Sequence, residues 1–443
     1  MRFLVRLQKQ SLFLPCIGTP MTDTVSSGKP AAPSFSGYQK LVVAMLALLQ
    51  FSIILDFMIM APLGAIIMPA LAISPKQFGL VVSAYAFAAG ISGLVTAGFA
   101  DRFDRKKLLL FFYVGFLLGT LWCGLAQTFE SLLAARIVTG LFGGVIGSVV
   151  MAIVTDLFPI TMRGRVMGMI QTAFAASQVL GLPAALFLSN HWSWHMPFLA
   201  MAAFGLLVGL FVVAAMQPVD GHLGAPQERS PFMHLFHTLT DPRHIAAFVA
   251  IGFLTTGGFM LMPFSSAYTV NNLEISLANL PTIYLVTGIC TIFIGPMIGK
   301  ASDAFGKFGV YLFGTTLSII MVLIYTHLSP VSLVILIVVN TVMFIGIFSR
   351  MIPFQALSSS IPAPTHRGSF NAISSAVQQL SGGIASVVAG HIVTATDSGK
   401  LEHMDMIGYV VVTMSLLATF LVWNINSRLN REQAAREAAA QTV

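Results

Sequence analysis

The sequence has little charge and almost no cysteine. Only 9% of its 443 residues are Asp, Glu, Lys or Arg, against about 25% in an ordinary soluble domain. Because 56% of the residues are hydrophobic, no water-soluble fold could cover the apolar surface, and a soluble globular domain is excluded. The three cysteines, Cys16, Cys123 and Cys290, are too few and too scattered for a disulfide framework or a zinc site.

Motifs for enzymatic chemistry are also missing. There is no glycine-rich phosphate loop ending in Lys-Ser or Lys-Thr, so nucleotide-driven activity finds no support. There is no nucleophile elbow and no cluster of histidines with acids. The segment His191–His195 has no acid beside it, and its aromatic residues favour a belt at a membrane interface over a metal site. We therefore expect no enzyme, no metal and no bound cofactor.

Long apolar runs dominate the chain from Tyr38 almost to its end. A run of about 20 apolar residues crosses the hydrocarbon layer of a bilayer. Since backbone amides in lipid need partners within their own segment, and the runs are too long for barrel strands, we expect an all-α membrane protein. The predicted spans are 41–67, 78–98, 108–127, 132–154, 166–189, 196–216, 245–268, 279–299, 309–328, 331–349, 369–394 and 407–426.

The formal charge of +7 follows the membrane topology and does not indicate nucleic acid. Of the 23 Lys and Arg residues, all except Lys76, Lys400 and Arg136 fall in segments on the side of the N-terminus. This set includes Arg350, placed just after the tenth run. The positive-inside rule then predicts that both termini lie in the cytoplasm, which requires an even number of spans.

The runs divide into two groups of six, separated by a polar segment rich in Pro and Gly at 217–244. The segment 97–106, after the second run, is echoed roughly 200 residues later by 299–307, and Arg-Gly at 163–164 recurs at 367–368. Duplicated halves around a site at the membrane midplane are typical of secondary transporters. The predicted domains are a polar tail 1–37, a bundle 38–216, a cytoplasmic linker 217–244, a bundle 245–427 and a cytoplasmic tail 428–443. Residues 1–20, which precede Met21, are open to interpretation as a mis-assigned start.

The sequence resembles the major facilitator superfamily over residues 38–426. The family's loop after its second helix reads Gly-x-Leu-Ala-Asp-Arg-x-Gly-Arg-Lys, and this chain has AGFADRFDRK, with Ala97 and Asp104 in place of the two glycines. The second copy keeps Asp303 and Gly306. The resemblance implies twelve helices in two pseudo-symmetric six-helix bundles around a central cavity.

The resemblance is closest to the twelve-helix drug:proton antiporter branch. It implies proton-coupled export of small amphipathic organic compounds by alternating access, driven by the proton gradient, by a monomer in the inner membrane. The expected partners are the substrate, protons and the lipid bilayer, with no nucleic acid. Because Gly181 and Pro183 are all that the fifth run keeps of the antiporter motif, proton-coupled uptake of a sugar or organic acid stays open, as does a non-transporting receptor or sensor.

Asp56 and Arg136 are the candidates for proton coupling. Asp56 is the only acid in the middle of a span, and it lies roughly 22 Å from the cytoplasmic face at 1.5 Å per residue. Arg136 lies roughly 6 Å from the outer face of a ~30 Å core, so both residues share one depth and are expected to pair. The motif of Arg136 with Gly140 and Gly144 resembles the family's fourth-helix motif for proton coupling. The carboxyl group would take up a proton when the pair separates and release it when the pair forms. The alternative is a static pair that fixes helix packing.

The loop charges suggest a conformational latch. Asp101, Arg105 and Asp156 are predicted to form a relay that stabilises the outward-open state, and Asp303 and Lys307 repeat part of it in the second half. The alternative is that these charges only set topology in a wet loop, where exposed pairs contribute about 0–1 kcal/mol.

Polar side chains within the spans are candidates for a substrate cavity, because lipid does not accommodate them. Hydrogen bonding between helices is the competing interpretation for each of them. They are Gln50, Gln171, Gln178, Asn340, Asn371, Gln378 and Gln379.

Overall fold

The computed structural model describes residues 35–97, 99–221, 223, 231–363 and 366–441. In that part of the chain twelve helices are long and apolar enough to cross a membrane. The all-α prediction and its number of spans are therefore confirmed. In chain order the spans are Gly37–Ile59, Pro75–Thr96, Arg105–Leu125, Phe129–Leu157, Ile160–His191, Met196–Ala215, Pro242–Asn271, Leu277–Phe305, Lys307–Thr326, Leu333–Ser358, Arg367–Ile392 and Met404–Glu432.

Several spans are interrupted or extended helices. The fifth span contains a π-helical turn at Ser177–Gly181 between two α-helices. The seventh span contains a 3₁₀ turn at Met262–Phe264, and the eighth begins with one at Leu277–Asn279. The helix of the twelfth span runs from Met404 to Gln441. Outside the spans lie the short helices Ala100–Arg102, Gly64–Ala70 and Pro231–Thr240, and an antiparallel pair of strands, Thr394–Ala395 and Leu401–Glu402.

Side chains beside the helix ends satisfy the free backbone amides of the first turns. Ser36 and Gln39 form a capping box at the first span, with bonds of 3.1 and 3.0 Å. Asp104 caps the third span by accepting from the amide of Lys107 at 2.9 Å. At the matching turn of the second half stands Gly306, whose φ of +84° favours glycine. The two copies of the loop therefore differ in backbone conformation at the residue that precedes the next helix.

The two halves, spans one to six and seven to twelve, share a core on one side of the membrane. We call the face with the ends of the first and twelfth spans the terminal face, and the opposite face the distal face. Toward the distal face one hydrophobic core joins both halves and includes Leu63, Phe264 and Tyr325. Toward the terminal face each half has its own core, and Leu94 is the partly buried residue of the first half that packs against the core of the second. The halves thus share one core distally, whereas toward the terminal face they keep separate cores and meet through the second and eleventh spans, where a Cβ at Gly90 would lie 3.3 Å from the oxygen of Ala376.

Small residues allow the halves to approach closely. A Cβ atom at Gly79 of the second span would lie 2.7 Å from the carbonyl oxygen of Ser386 and 3.3 Å from the Cα of Gly390, both in the eleventh span. A Cβ at Gly288 of the eighth span would lie 3.2 Å from the carbonyl carbon of Gln178 in the fifth. These backbone contacts are the small-residue packing that membrane helices use in place of hydrophobic burial.

The first span ends earlier than predicted. The apolar run 41–67 was expected to be one helix, but the helix stops at Ile59 and a short helix follows at Gly64–Ala70. Pro62 lies in the break, where its ring removes a backbone donor and restricts the residue before it. Apolar length alone did not reveal this break.

The tenth span ends later than predicted. The run was placed at 331–349, whereas the helix extends over Leu333–Ser358. Arg350 therefore lies inside the span, where it is 4% exposed, and its assignment to a basic loop was wrong. A single charge was taken as the end of an apolar run that resumes immediately after it.

The tails and the linker were predicted from composition. The linker 217–244 contains the helix Pro231–Thr240. Within the predicted tail 428–443, the helix of the twelfth span continues as far as Gln441. Residues 1–34 lie outside the described residues, and so does the interpretation of 1–20 as a mis-assigned start.

Candidate functional site

Asp56 and Arg136 form an ion pair inside the first half. The Nη1 of Arg136 donates to Oδ2 of Asp56 at 2.8 Å and lies 3.4 Å from the backbone oxygen of Asp56. The hydroxyl of Thr120, on the third span, donates to the other carboxylate oxygen at 3.2 Å. The side chains of Asp56 and Arg136 are 0% and 1% exposed. Two charges so completely removed from water compensate each other, and the pairing expected from their common depth is present.

Close packing of the fourth span against the second positions Arg136. A Cβ at Gly140 would collide with the carbonyl oxygen of Tyr85, and one at Gly144 would collide with the backbone of Ala89. This approach places the guanidinium 4.6 Å from the centre of the Tyr85 ring, a cation–π contact. The Nε of Arg136 has no hydrogen-bond acceptor among the described residues.

The residues beside Asp56 reach the surface where the two halves meet. The ring of Phe57 lies 5.3 Å from that of Tyr85 and 5.7 Å from that of Phe259 in the seventh span. Leu55 packs against Gly181 of the π-helical turn, where a Cβ would lie 2.6 Å from Cδ1 of the leucine. The ion pair therefore lies within one half, while its neighbours in sequence contact both the other half and an irregular turn.

The predicted latch is formed in part. The Nε of Arg105 donates to Oδ2 of Asp156 at 3.1 Å, and its Nη1 donates to the carbonyl oxygen of Ala100 at 3.0 Å. The side chain of Asp101 lies outside the described residues. The Arg105–Asp156 pair joins the third and fourth spans, both of the first half. A role of the relay in stabilising the outward-open state stays a prediction.

The second copy of the loop forms no ion pair in the part of the chain that the structure describes. Asp303 is exposed and Lys307 is half-buried, and no salt bridge of the described residues includes either side chain. The turn at Gly306 separates them, with Asp303 at the end of the eighth span and Lys307 at the start of the ninth.

One of the predicted cavity residues joins the two halves. Gln178 is 6% exposed, and its side-chain oxygen accepts from the hydroxyl of Thr291 in the eighth span at 3.1 Å. It lies in the π-helical turn, an irregularity that often marks a functional position. Bonding between helices, the competing interpretation, describes this residue in the present conformation.

Three other predicted cavity residues are exposed, and their place in a cavity stays a prediction. Asn371 and Gln378 are exposed and seven residues apart, and therefore share one face of the eleventh span. Ile384 and Val388, which are 56% and 42% exposed, lie on a different face of that helix, as expected for lipid contact. Gln171 in the fifth span is also exposed. The remaining predicted cavity residues are half-buried and make no hydrogen bond to a described residue. They are Gln50, Asn340 and Gln379.

Arg350 is a buried charge that the sequence analysis missed. Its Nη1 donates to the hydroxyl of Ser415 in the twelfth span at 3.1 Å, and its Nε has no acceptor among the described residues. The signal was available, because apolar residues continue on both sides of Arg350, from Met343 to Phe354.

The histidines of the segment His191–His195 bind backbone oxygens near the distal face. A ring nitrogen of His195 lies 2.8 Å from the oxygen of Ala126, and one of His191 lies 2.9 Å from that of Phe187. Trp192 is 63% exposed, as an interfacial belt requires. Among the described residues no group of three or more His, Cys, Asp or Glu side chains is arranged to hold a metal ion.

Known proteins share both the sequence pattern and the fold. The profile of the Major Facilitator Superfamily matches residues 46–436. The uncharacterized MFS-type transporter YceJ of Bacillus subtilis is 24% identical over 87% of this chain and 97% of its own length. Multidrug resistance protein 3 of the same organism is 31% identical, over 31% of this chain and 27% of its own length.

Two solved structures have the same fold at low sequence identity. A bacterial homologue of the human lysosomal transporter Spinster, in an inward-facing and unoccupied conformation, has a TM-score of 0.65, with 17% identity over 88% of this chain and 96% of its own. A mutant of the nucleoside transporter NupG has a TM-score of 0.69, with 14% identity over 87% and 99%. Twelve membrane spans, the duplicated halves and the matching profile establish that this chain belongs to the major facilitator superfamily of membrane transporters.

Proposed function

We propose that the protein exports small amphipathic organic compounds in exchange for protons, by alternating access. The observation that carries this proposal is the buried ion pair of Asp56 and Arg136. Ionisable residues inside a membrane-embedded region are costly, and their default interpretation is functional. Asp56 is the proton-binding group in this proposal, because it is the only acid in the middle of a span.

The contacts of Arg136 offer a way to couple proton binding to movement. A protonated Asp56 no longer neutralises the guanidinium, which keeps weaker partners in the backbone oxygen of Asp56 and the ring of Tyr85. The first span is then held less firmly against the fourth. Because Leu55 and Phe57 contact the fifth and seventh spans, a shift of the first span reaches the surface along which the halves tilt. Loss of the proton restores the pair.

The orientation of the chain supports export. Basic residues concentrate in the segments at the terminal face, so we place that face and both termini in the cytoplasm, with the spans in the inner membrane. The end at which the two halves have separate cores then faces the cytoplasm, where a compound to be exported would enter between them. The partial similarity to a protein named for multidrug resistance also supports this direction.

Side chains between the halves favour an amphipathic substrate. Phe174 of the fifth span and Phe348 of the tenth face each other across the halves, with ring centres 6.4 Å apart. The exposed amides of Gln171, Asn371 and Gln378 lie in the same terminal-side parts of their spans. Aromatic surface beside a few amides suits an organic compound with an apolar body and a polar group. One copy of the chain supplies all these residues, so we assign transport to a monomer.

The proposal is tested with purified protein in proteoliposomes under an imposed pH gradient. Compounds that raise the melting temperature of the full chain serve as probes, and a pH-sensitive dye inside the vesicles reports proton movement. We expect Asp56→Asn to keep thermal stabilisation by the probe but to lose pH-driven transport at least tenfold, a change of about 1.4 kcal/mol or more. Asp397→Asn, an exposed acid of the distal hairpin, is the matched control.

Each result has a defined meaning. Undiminished pH-driven transport in Asp56→Asn would remove Asp56 from proton coupling. Protons that move in the same direction as the probe would replace export by uptake symport. Binding of the probe with no flux in wild-type protein would indicate a receptor.

A further inference from the structure

The second half buries a guanidinium that no acid neutralises. Arg350 is 4% exposed in the tenth span, and the hydroxyl of Ser415 is its one hydrogen-bond acceptor among the described residues. Its Nε has no acceptor. A guanidinium stays charged at every accessible pH, so Arg350 cannot escape the cost of burial by losing a proton.

The surroundings of Arg350 supply hydrogen-bond donors but no negative charge. The hydroxyl of Tyr311 in the ninth span lies within electrostatic range of the guanidinium and has Thr315 and Thr419 as its side-chain neighbours. Ser318, further along the same helix, lies against Gly346 of the tenth span, and its hydroxyl makes no hydrogen bond to a described residue. A buried cation with hydroxyl groups nearby and no acid among the described residues is an environment that favours an anion.

The acids of the second half lie too far toward the membrane surfaces to pair with Arg350. All of them stand in loops or at the ends of spans, away from the middle of the helices. Tilting one half as a unit would not bring any of them into the interior of that half. They are Asp241, Glu274, Asp303, Asp397, Glu402, Asp405, Glu432 and Glu437.

We propose that Arg350 binds an anionic group with a single negative charge, either a halide ion or a carboxylate, between the seventh, ninth and twelfth spans. The Nε and Nη2 of a guanidinium form a fork of parallel donors that suits such a group. Gly257 of the seventh span leaves the space of a single methyl group beside it, since a Cβ atom there would lie 3.5 Å from both Nη2 and Cγ1 of Val411, and 3.7 Å from the hydroxyl of Ser415. This narrow space selects a small anion and disfavours bulky ones.

The site is independent of the proton-coupling proposal, because it lies in the other half and is measured by binding alone. The full chain in detergent is exchanged into the sodium salt of MES, a bulky sulfonate that carries no carboxylate, and is titrated with sodium chloride or sodium acetate at constant ionic strength. We expect the melting temperature of the wild-type protein to rise by on the order of 2 °C with one of the two anions. Chloride as the effective anion identifies an inorganic ion, and acetate alone identifies the carboxylate of an organic compound.

Variants separate a site from a general salt effect. The rise is expected to vanish in Arg350→Gln and to persist in Arg243→Gln, which changes an exposed arginine of the same half. Tyr311→Phe keeps the charge and removes a hydroxyl, so its titration midpoint should move to several-fold higher anion concentration. The proposal is overturned if neither anion stabilises the wild-type protein or if the rise persists in Arg350→Gln. Should Arg350→Gln fail to fold, an unchanged midpoint in both Tyr311→Phe and Ser415→Ala overturns it.

Discussion

Each half of this transporter buries an arginine inside a span, away from the helix ends, but among the described residues only the first half supplies that arginine with a counter-charge. Arg136 lies between the carboxylate of Asp56, at 2.8 Å, and the ring of Tyr85, whose centre is 4.6 Å away. Arg350 has the hydroxyl of Ser415 at 3.1 Å and forms no ion pair with an acid of the described residues. The fold is duplicated, whereas its buried charges are not.

The difference separates what each half can do. A carboxyl group can gain or lose a proton near neutral pH when its surroundings change, whereas a guanidinium cannot. Proton uptake and release are therefore possible at the pair in the first half and impossible at Arg350. The second half can only hold an anion or carry a fixed positive charge. Under the proposed function, this asymmetry assigns proton coupling to the first half and leaves the second half free for a different ligand.

Removing the counter-charge of Arg136, so that the first half resembles the second, should have the largest effect on stability. Asp56→Leu removes the carboxylate and leaves Arg136 buried without a counter-charge. We expect the free energy of unfolding to fall by about 3–5 kcal/mol, because breaking a buried pair strands a charge. Reversible unfolding of the detergent-solubilised protein, followed by circular dichroism, measures this change.

The double variant Asp56→Leu, Arg136→Met provides the control. It removes both charges and should recover most of the lost stability, because an apolar pair of similar volume is often neutral relative to a buried ion pair. If the double variant is as unstable as Asp56→Leu, the loss comes from packing around Asp56 and the comparison of charges fails.

A smaller effect is expected from the contact that positions Arg136. Gly140→Ala places a Cβ against the carbonyl oxygen of Tyr85, which should cost about 1–3 kcal/mol as overpacking. Gly147→Ala, in the same helix, meets nothing within 4 Å and should be neutral or stabilising by up to about 1 kcal/mol through helix propensity. Thermal unfolding of the two variants measures the difference. Equal stability of both would show that the fourth span does not need its close approach to the second.

The sequence was sufficient to predict the ion pair of the first half but not its full environment. Asp56 and Arg136 stand out as charges in apolar runs, and helix rise alone places them at one depth. Thr120 and Tyr85 carry no such signal, because hydroxyl-bearing residues are common in spans. Their contacts depend on which helix faces meet, and a single sequence does not specify that.

Arg350, by contrast, is a buried charge that was placed wrongly from the sequence. Its charge was interpreted as the end of an apolar run, although the run resumes immediately after it. The π-helical turn at Ser177–Gly181 was equally hidden, since its residues differ little from those of an ordinary helix. Span number and the existence of two halves depend on composition and length, whereas breaks and buried lone charges depend on packing between helices.

Removing the charge of Arg350 should change the free energy of unfolding less than Asp56→Leu or Gly140→Ala does. Arg350→Met deletes a guanidinium that has no acid partner and keeps a long apolar side chain. In the MES buffer without chloride or acetate we expect the free energy of unfolding to stay constant or to rise by up to about 1 kcal/mol, because an uncompensated buried charge contributes little to stability. Chemical unfolding of wild-type and variant protein side by side tests this. A loss as large as that of Asp56→Leu would mean that Arg350 has a strong partner within the protein.

The smallest effect should come from the ion pair near the terminal face, which sharpens the contrast between buried and accessible charge. The carboxylate of Asp156 is 23% exposed and Arg105 keeps a bond to the oxygen of Ala100, so Asp156→Asn should cost at most about 1 kcal/mol in unfolding free energy. If Asp101, Arg105 and Asp156 form a relay when the terminal face closes, the same variant should slow transport several-fold while its melting temperature barely changes. Unchanged transport rates would instead leave these residues as topology charges, because a pair that stabilises every conformation equally cannot shift the balance between them.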